Sequence, residues 1–239
     1  SCYVMEDYFG LLDDGEGAKP LREKTDLGIG RFPVTTQAEA KVMVDKCITF
    51  MSRSNAGAWK NLVYVLGDDG DENTHMDGAD QVAEQIRQTN PGAEVHKVHW
   101  DAYQRVSTIK GNTYPEVNSL IRRQMTDGAL VMNYTGHGAT YTLSHEFVLQ
   151  TEDFSSSCSQ NLPLWVTAAC DVMPFDGQIT NIGETAVLNP QGGALAFYGT
   201  TRTVFASQNL LMNKYFMKHL FTNDAQGNPV RVGDAIRLA

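Results

Sequence analysis

Basic residues, cysteines and long hydrophobic runs are all scarce in this sequence. Its 239 residues include 19 Lys and Arg against 28 Asp and Glu, which gives a formal net charge of −9 at pH 7. A surface of this sign repels phosphate backbones, so we expect no nucleic-acid partner. The longest apolar runs, such as residues 62–66, fall far short of the roughly 18–20 residues of a membrane helix. We therefore predict no transmembrane segment.

The cysteines are too few and too widely spaced to define a site by themselves. They are Cys2, Cys47, Cys158 and Cys170. No CxxC pair and no zinc-ligand spacing occurs, and the even number permits disulfides without requiring any. Phosphate-binding patterns are missing too, since no GxGxxG or GxxxxGK[ST] follows a predicted strand. The sequence thus argues against a nucleotide-binding domain, and we expect no cofactor.

The sequence at both ends of the chain is typical of a fragment of a longer protein. It begins at Ser1 without a signal-peptide pattern, and residues 232–239 form a helical pattern that stops abruptly. We expect an excised piece of a larger protein, truncated at its C-terminal end, so the missing signal sequence says nothing about compartment. With 42% hydrophobic residues and no repeats, residues 1–239 are predicted to form one catalytic domain.

Strand and helix patterns alternate along the chain. The predicted strands are residues 2–5, 27–32, 62–66, 95–100, 129–134, 162–168 and 194–198. The predicted helices are residues 37–53, 78–89, 114–126 and 207–220, and Thr35 or Thr36 caps the first, with Glu39 at capping-box distance from Thr36. Such alternation is typical of βαβ units. We predict an α/β fold with a mainly parallel sheet and helices on both faces.

Two apolar strands each lead to a reactive side chain just past their carboxyl ends. Residues 129–134 precede His137, and residues 164–169 precede Cys170. If these strands are neighbours in a parallel sheet, both side chains emerge at the same edge, where open α/β sheets place their sites. An imidazole beside a thiol can take its proton and create a nucleophile. We expect the backbone N–H groups of Gly138 and Cys170 to form an oxyanion hole.

The combined pattern is more specific than either residue, because a lone cysteine at a strand end is more often a core residue. A strand with Gly136-His137-Gly138, followed about thirty residues later by a strand with Ala169-Cys170, resembles the caspase clan. Residues 134–138 resemble its gingipain family in particular. The similarity continues in residues 7–10, 28–33, 39–40, 167–170, 175–176, 183–184, 189–190, 192–194, 200–202 and Asn209.

This resemblance implies a caspase-like fold, a dyad of Cys170 and His137, and a thioester intermediate. From residue 167 onwards the chain is similar to the sortase branch of the family, which serves the type IX secretion system of Bacteroidetes. That branch implies removal of C-terminal secretion signals from cargo proteins, after which the thioester passes to water or to an amine of an anionic lipopolysaccharide. It further implies a protein substrate, other secretion components as partners, and an extracytoplasmic location at the cell surface, associated with the outer membrane.

The family also places a glutamate beside the catalytic histidine, in the loop after the strand equivalent to residues 62–66. Here that place holds Asp68 and Asp69. We expect Asp68 to approach His137 more closely and to orient its ring. The next loop, residues 71–77, differs too much for the family's acidic specificity residue to be aligned. Selectivity for arginine or lysine is therefore not carried over.

The acidic loop has part of the pattern of a calcium site. Residues 69–73 match the first half of an EF-hand loop, but glycine is missing at position six and Asp80 occupies position twelve. A strand precedes the loop where an EF-hand has a helix, so we predict no EF-hand. His75 with Asp71 and Asp77 could hold a metal, but nothing in the sequence requires one, and no metal ligand is assigned.

Arg202 and Glu184 are the candidate substrate-binding residues. Arg202 ends an apolar strand near the same edge of the sheet, where it is suited to bind a substrate carboxylate with both ends of its guanidinium. The alternative is a structural ion pair of Arg202 with Glu184 or Asp176. The sequence leaves both open.

Two other functions fit the same resemblance. One is a secreted, general endopeptidase of the gingipain type. The other is a catalytically silent caspase-like module that serves as a docking part of a secretion machine. The presence of both Cys170 and His137 favours an active enzyme.

Overall fold

A five-stranded parallel sheet lies at the centre of the molecule. The structure is a computed structural model, and it describes residues 4–19, 22–52, 54–109 and 111–239. The strands in these residues are β1 (Leu62–Gly67), β2 (Glu94–His99), β3 (Val106–Thr108), β4 (Gly111–Thr113), β5 (Val131–Thr135), β6 (Gly138–Ala139), β7 (Thr142–Leu143), β8 (Leu149–Gln150), β9 (Leu164–Ala168) and β10 (Ala196–Tyr198). The central sheet has the order β10-β9-β5-β1-β2, and every pairing in it is parallel. Two small antiparallel sheets, β3-β4 and β6-β7-β8, lie outside it.

Helices cover both faces of the central sheet. They are α1 (Gln37–Met51), α2 (Thr74–Thr89), α3 (Pro115–Asp127), α4 (Thr151–Ser155), α5 (Ile182–Leu188), α6 (Ala206–Leu220) and α7 (Val232–Leu238). Buried side chains of α1, α3, α4 and α5 form one core, and those of α2, α6 and α7 form the other. This confirms the predicted α/β class, with a mainly parallel sheet and helices on both faces. Within the described residues, no helix is long and apolar enough to cross a membrane.

Strand β5 shows why the central strands are almost continuously apolar. It lies between β1 and β9, and all five of its residues are buried. Met132 and Tyr134 face one core, and Val131 faces the other. Two of its residues, Asn133 and Thr135, are polar, and the Asn133 amide exchanges two hydrogen bonds of 2.7 and 2.9 Å with Asn213 of α6. Each amide thus satisfies the other inside the core.

Short-range sequence signals set the start of α1, and packing modifies the start of α2. The Thr36 hydroxyl accepts a hydrogen bond from the Glu39 backbone at 3.2 Å, and the Glu39 carboxylate accepts one from the Thr36 backbone at 2.9 Å. This is the predicted capping box. Helix α2 begins at Thr74 rather than at the predicted Gly78. Gly78 therefore lies inside the helix, at a place where α6 packs closely. A Cβ on Gly78 would lie 3.3 Å from Cδ1 of Leu210.

Two predicted strands are not found as such. Residues 27–32 contain no strand; they pack against the start of α7, where a Cβ on Gly28 would lie 2.3 Å from the carbonyl carbon of Gly233. The predicted strand 2–5 lies partly outside the described residues, and the described part, Val4 and Met5, forms no strand. Helices α4 and α5 and the small sheets were not predicted, because such short elements show little periodicity.

Candidate active site

The strand pairing brings the turns that carry His137 and Cys170 to the same edge of the sheet. Strands β5 and β9 are adjacent and parallel, with Thr135 opposite Ala168. The turn at Gly138 packs directly on the turn at Cys170: a Cβ on Gly138 would lie 2.9 Å from the carbonyl oxygen of Cys170. The sequence-based expectation that the two turns share one edge agrees with this arrangement.

The buried carboxylate of Asp68 holds the turn that carries His137. Its Oδ2 accepts a hydrogen bond from the backbone N–H of His137 at 2.9 Å and lies 3.1 Å from the Tyr134 hydroxyl. That hydroxyl also donates to the carbonyl oxygen of His137 at 2.7 Å. Gly136 is necessary for this approach, because a Cβ there would lie 2.4 Å from Cβ of Asp68. Asp68 therefore contacts the backbone of His137.

The ring of His137 is positioned by three other side chains. Its Nε2 lies 2.7 Å from Oδ2 of Asp71. The ring stacks on His145, with centroids 3.9 Å apart and planes at 16°, and it meets the edge of His75 at 4.8 Å. Asp68 does approach His137 more closely than Asp69 does, as expected, but its contact is with the backbone N–H and not with the ring, because Asp68 is buried beneath the turn. Asp69 is not the ring partner either, since its Oδ2 accepts from Tyr114 at 2.6 Å.

Burial and hydrogen bonding shift the pKa values of these aspartates in opposite directions. Burial raises the pKa of Asp68 to about 6, against the opposing effect of the hydrogen bond from the His137 backbone. The exposed Asp71 has a lowered pKa, chiefly because of its hydrogen bond with His137. Asp71 is thus the carboxylate suited to stabilise a charged imidazolium, whereas Asp68 is suited to hold the backbone.

The turn after β9 is fastened to the segment after β10. The Thr200 hydroxyl donates to the carbonyl oxygen of Ala169 at 2.5 Å, and the backbone N–H of Met173 donates to Thr200 at 2.9 Å. Between these anchors the half-buried Cys170 directs its Sγ at the carbonyl oxygen of Val204, 3.8 Å away. The thiol therefore borders the segment of residues 199–205.

The chain turns back after His137 into the small antiparallel sheet. The backbone N–H of Ser144 donates to the carbonyl oxygen of His137 at 2.9 Å, whereas the N–H of His137 donates to Asp68. Gly138 follows as the first residue of β6 and lies opposite Leu143. The oxyanion hole formed by Gly138 and Cys170 stays a prediction.

A cavity of about 500 Å³ lies between β9, β10, residues 199–205 and α6. Its lining includes Val204, whose carbonyl oxygen is 3.8 Å from the Cys170 Sγ. Its lining is mainly apolar and hydroxyl-bearing, with Thr167, Val204 and Met212 among its residues. Among the described residues that line it, none is acidic, and Arg202 is the one that carries charge. The described lining thus offers hydroxyl and amide oxygens, but no carboxylate, to a substrate side chain.

Arg202 and Glu184 are both engaged within the protein. The guanidinium of Arg202 donates to the two carboxylate oxygens of Asp176 at 3.0 and 2.5 Å, so the structural ion pair with Asp176 is the alternative that forms. Glu184 belongs to the capping box of α5: its carboxylate accepts from the backbone of Asn181 at 3.1 Å, and its own N–H donates to the Asn181 side chain at 2.8 Å. Substrate binding by either residue stays a prediction.

The acidic loop does not form an EF-hand. A single 3-10 turn connects β1 to α2, and its residues Asp71, Glu72 and Asn73 all have left-handed backbone conformations, with φ of 45°, 55° and 67°. This turn brings Asp71 to within 4.8 Å of ligand atoms on His75 and His137. Asp77, which was considered with His75 as a metal ligand, is not part of that group.

A thiol and an imidazole on adjoining turns at one edge of a parallel sheet, covered by helices on both faces, define a caspase-like cysteine peptidase domain. The family model agrees: the chain belongs to peptidase family C25, whose model matches residues 2–239. The domain is thus a cysteine peptidase domain of the gingipain family. No curated protein sequence matches the chain.

Solved structures show the same fold at low sequence identity. The crystal structure of the Arg-specific cysteine proteinase gingipain R is 14% identical, with a TM-score of 0.73, and the match covers 98% of this chain and 52% of that one. The complex of the pro- and mature domains of RgpB from Porphyromonas gingivalis is 15% identical, with a TM-score of 0.68 and coverages of 90% and 51%. The chain thus spans about half the length of these structures.

Proposed function

We propose that this domain cleaves C-terminal secretion signals from cargo proteins through a thioester at Cys170, as a sortase of the PorU type in type IX secretion. The observation that carries the chemistry is the packing of the Gly138 turn on the Cys170 turn at the carboxyl edge of the sheet. The sequence similarity after residue 166 carries the more specific assignment. The proposal includes other secretion components as partners and a location at the cell surface.

The proposed mechanism gives each nitrogen of His137 a role. Because Nε2 is engaged by Asp71, Nδ1 is the nitrogen left to take the proton of the Cys170 thiol. The thiolate attacks the carbonyl carbon of the scissile bond, and the N–H groups of Gly138 and Cys170 stabilise the resulting oxyanion. The imidazolium then protonates the leaving amine, the C–N bond breaks and a thioester to Sγ remains. Asp71 stabilises the imidazolium in between.

The second half of the reaction decides between a peptidase and a sortase. Water or a primary amine attacks the thioester carbon and gives a proton to His137, after which the proton returns to the thiolate that departs. Attack by water releases the cargo with a free carboxylic acid at its new C-terminus. Attack by an amine leaves the cargo joined to that amine through an amide bond. In either case the thiol is regenerated.

The cavity lined by Val204 favours a neutral side chain on the residue whose carbonyl is attacked. An unpaired charge in an apolar pocket costs more than about 1.4 kcal/mol, so peptides with arginine or lysine there should react at least about tenfold more slowly than neutral ones. A panel of fluorogenic peptides that differ only at this residue measures the ratio. A preference for arginine or lysine would favour the secreted gingipain-like endopeptidase instead.

The decisive experiment combines the full-length enzyme with the C-terminal region of a cargo protein and a primary amine such as glycinamide. Mass spectrometry should find one new terminus near the start of the signal, in a hydrolysed form and in an amine-ligated form. Cys170→Ala is the matched control and should give neither. Cleavage at many sites in unrelated proteins would indicate a general endopeptidase, and a chain that neither cleaves nor reacts with a thiol-directed inhibitor would indicate a silent docking module.

A further inference from the structure

Three potential metal ligands converge on the side of the His137 ring that carries Nε2. Asp71 Oδ2 lies 2.7 Å from Nε2 of His137 and 3.3 Å from Nε2 of His75. The ligand atoms of all three residues lie within 4.8 Å of one another. They come from separate elements: Asp71 from the left-handed turn, His75 from the first turn of α2, and His137 from the turn after β5.

The buried Nε2 of His75 lies near the Asp71 carboxylate but forms no hydrogen bond with it. The residue is 9% exposed, and its buried Nε2 makes no hydrogen bond, although Asp71 lies 3.3 Å away. A buried nitrogen without a partner is costly, and such groups are uncommon in folded proteins. This nitrogen lies beside the ligand atoms of Asp71 and His137, and all of them are within 4.8 Å of one another. A ligand between the three residues would satisfy it.

The donor set identifies the class of that ligand. Two imidazole nitrogens and one carboxylate oxygen bind zinc at about 2.0–2.2 Å, usually with tetrahedral geometry and a fourth position for water. Calcium and magnesium prefer sites built from oxygen alone. Ligand atoms around a tetrahedral zinc ion lie about 3.3 Å apart, so the spacing of His75 and Asp71 already suits the ion. The closer pair, His137 with Asp71, has only to separate slightly, and the exposed Asp71 is able to move.

We propose that Asp71, His75 and His137 bind one zinc ion and that the bound ion switches the peptidase off. Zinc on Nε2 of His137 requires a neutral ring, whose single proton then resides on Nδ1. Nδ1 has no lone pair left to accept the proton of the Cys170 thiol. The ion also takes Asp71 away from its role in stabilising the imidazolium. The metal site stands on the contacts alone, whereas the switch rests on the function proposed above.

The test measures binding and activity separately. Binding of ZnCl₂ alone to the metal-free protein is measured by calorimetry, with His75→Ala as the ligand variant and His96→Ala as its control. His96 is a partly buried histidine of β2 that pairs with Glu94 and is not part of the cluster. We expect one ion per chain, and a loss of affinity of at least about tenfold in His75→Ala only. The rate of peptide cleavage is then measured at increasing zinc concentrations. For each variant, the rate is expressed relative to the rate of that variant without zinc.

Cys170→Ala distinguishes this site from zinc bound by the thiolate. The proposed ligands exclude Cys170, so this variant should bind zinc as tightly as the wild type. In the wild type, the zinc concentration that halves cleavage should match the dissociation constant, and His75→Ala should raise it at least about tenfold. Equal affinity in His75→Ala, or loss of binding in Cys170→Ala, would overturn the site. Zinc binding through His75 without any effect on cleavage would overturn the switch, and an enzyme inactive without zinc would overturn the proposed function and the switch together.

Discussion

Asp68 accepts a hydrogen bond from the backbone N–H of His137 at 2.9 Å, while the ring of His137 makes its own contact with Asp71 at 2.7 Å. Two different aspartates thus hold the turn and the side chain. Because Asp68 is buried and Asp71 is exposed, they respond differently to pH and to substitution.

The first prediction concerns the partner of the ring. Asp71→Asn removes the charge that stabilises the imidazolium, and we expect kcat/KM to fall by about tenfold. This is the low end of the range for the loss of a hydrogen bond to a charged group, because solvent screens the charge at this exposed site. Asp69→Asn is the control, since its carboxylate contacts Tyr114 instead of His137. Steady-state cleavage of a fluorogenic peptide measures both. A slower Asp69→Asn with a normal Asp71→Asn would contradict the assignment.

The second prediction concerns Asp68 and stability. Its pKa is raised from 3.8 to about 6, so the folded protein binds a proton there more tightly than the unfolded chain does. The stabilisation is complete below pH 3.8 and is lost as the pH rises through about 6. Relative to Asp68→Asn, which does not titrate, the free energy of unfolding of the wild type should fall by up to about 3 kcal/mol across this interval.

Urea denaturation at a series of pH values measures this difference. The asparagine variant retains an oxygen that can accept from the His137 backbone, so we expect it to fold. Turnover in Asp68→Asn should fall less than in Cys170→Ala, since the turn is loosened while the nucleophile remains. Parallel stability curves for the two proteins would show that Asp68 does not titrate in this range.

The third prediction concerns the nucleophile. Cys170 should react with iodoacetamide faster than Cys47, because an imidazole can take the proton of the first, whereas burial raises the pKa of the second. Peptide mapping by mass spectrometry after brief labelling gives the ratio. His137→Ala should remove the advantage of Cys170. Rapid labelling of Cys47 or the exposed Cys158 with Cys170 inert would argue against the dyad.

The fourth prediction concerns the contact between the two turns. In Gly138→Ala the added Cβ would lie 2.7 Å from Cγ1 of Val172 and 2.9 Å from the carbonyl oxygen of Cys170. We expect a loss of about 1–3 kcal/mol in the free energy of unfolding, as for other overpacked sites, together with a severe loss of activity. Gly30→Ala is the matched control, because its Cβ would meet nothing within 4 Å. Thermal unfolding and peptide cleavage measure both variants, and equal results for the pair would contradict the prediction.

Much of the fold was predictable because its signals are local. The apolar runs around residues 62–66, 129–134 and 164–168 are largely buried strands, since a parallel strand covered on both faces needs apolar side chains at most positions. The capping box at Thr36 is formed by two residues that are only three positions apart in the sequence, Thr36 and Glu39. Placing the reactive side chains just past the carboxyl ends of their strands followed from the same logic.

The sequence by itself determined the α/β class, the central strands, and the placement of Cys170 and His137 on turns at one edge of the sheet. The tertiary structure alone decided which carboxylate meets which atom of His137. Asp68, Asp69 and Asp71 are nearly equivalent in sequence, but the left-handed turn at residues 71–73 carries Asp71 back to the ring and leaves Asp68 beneath the backbone. The tertiary structure likewise paired Arg202 with Asp176 and placed His75 and His145 against His137. Such contacts depend on backbone dihedrals and on packing between elements distant in sequence, which periodicity does not encode.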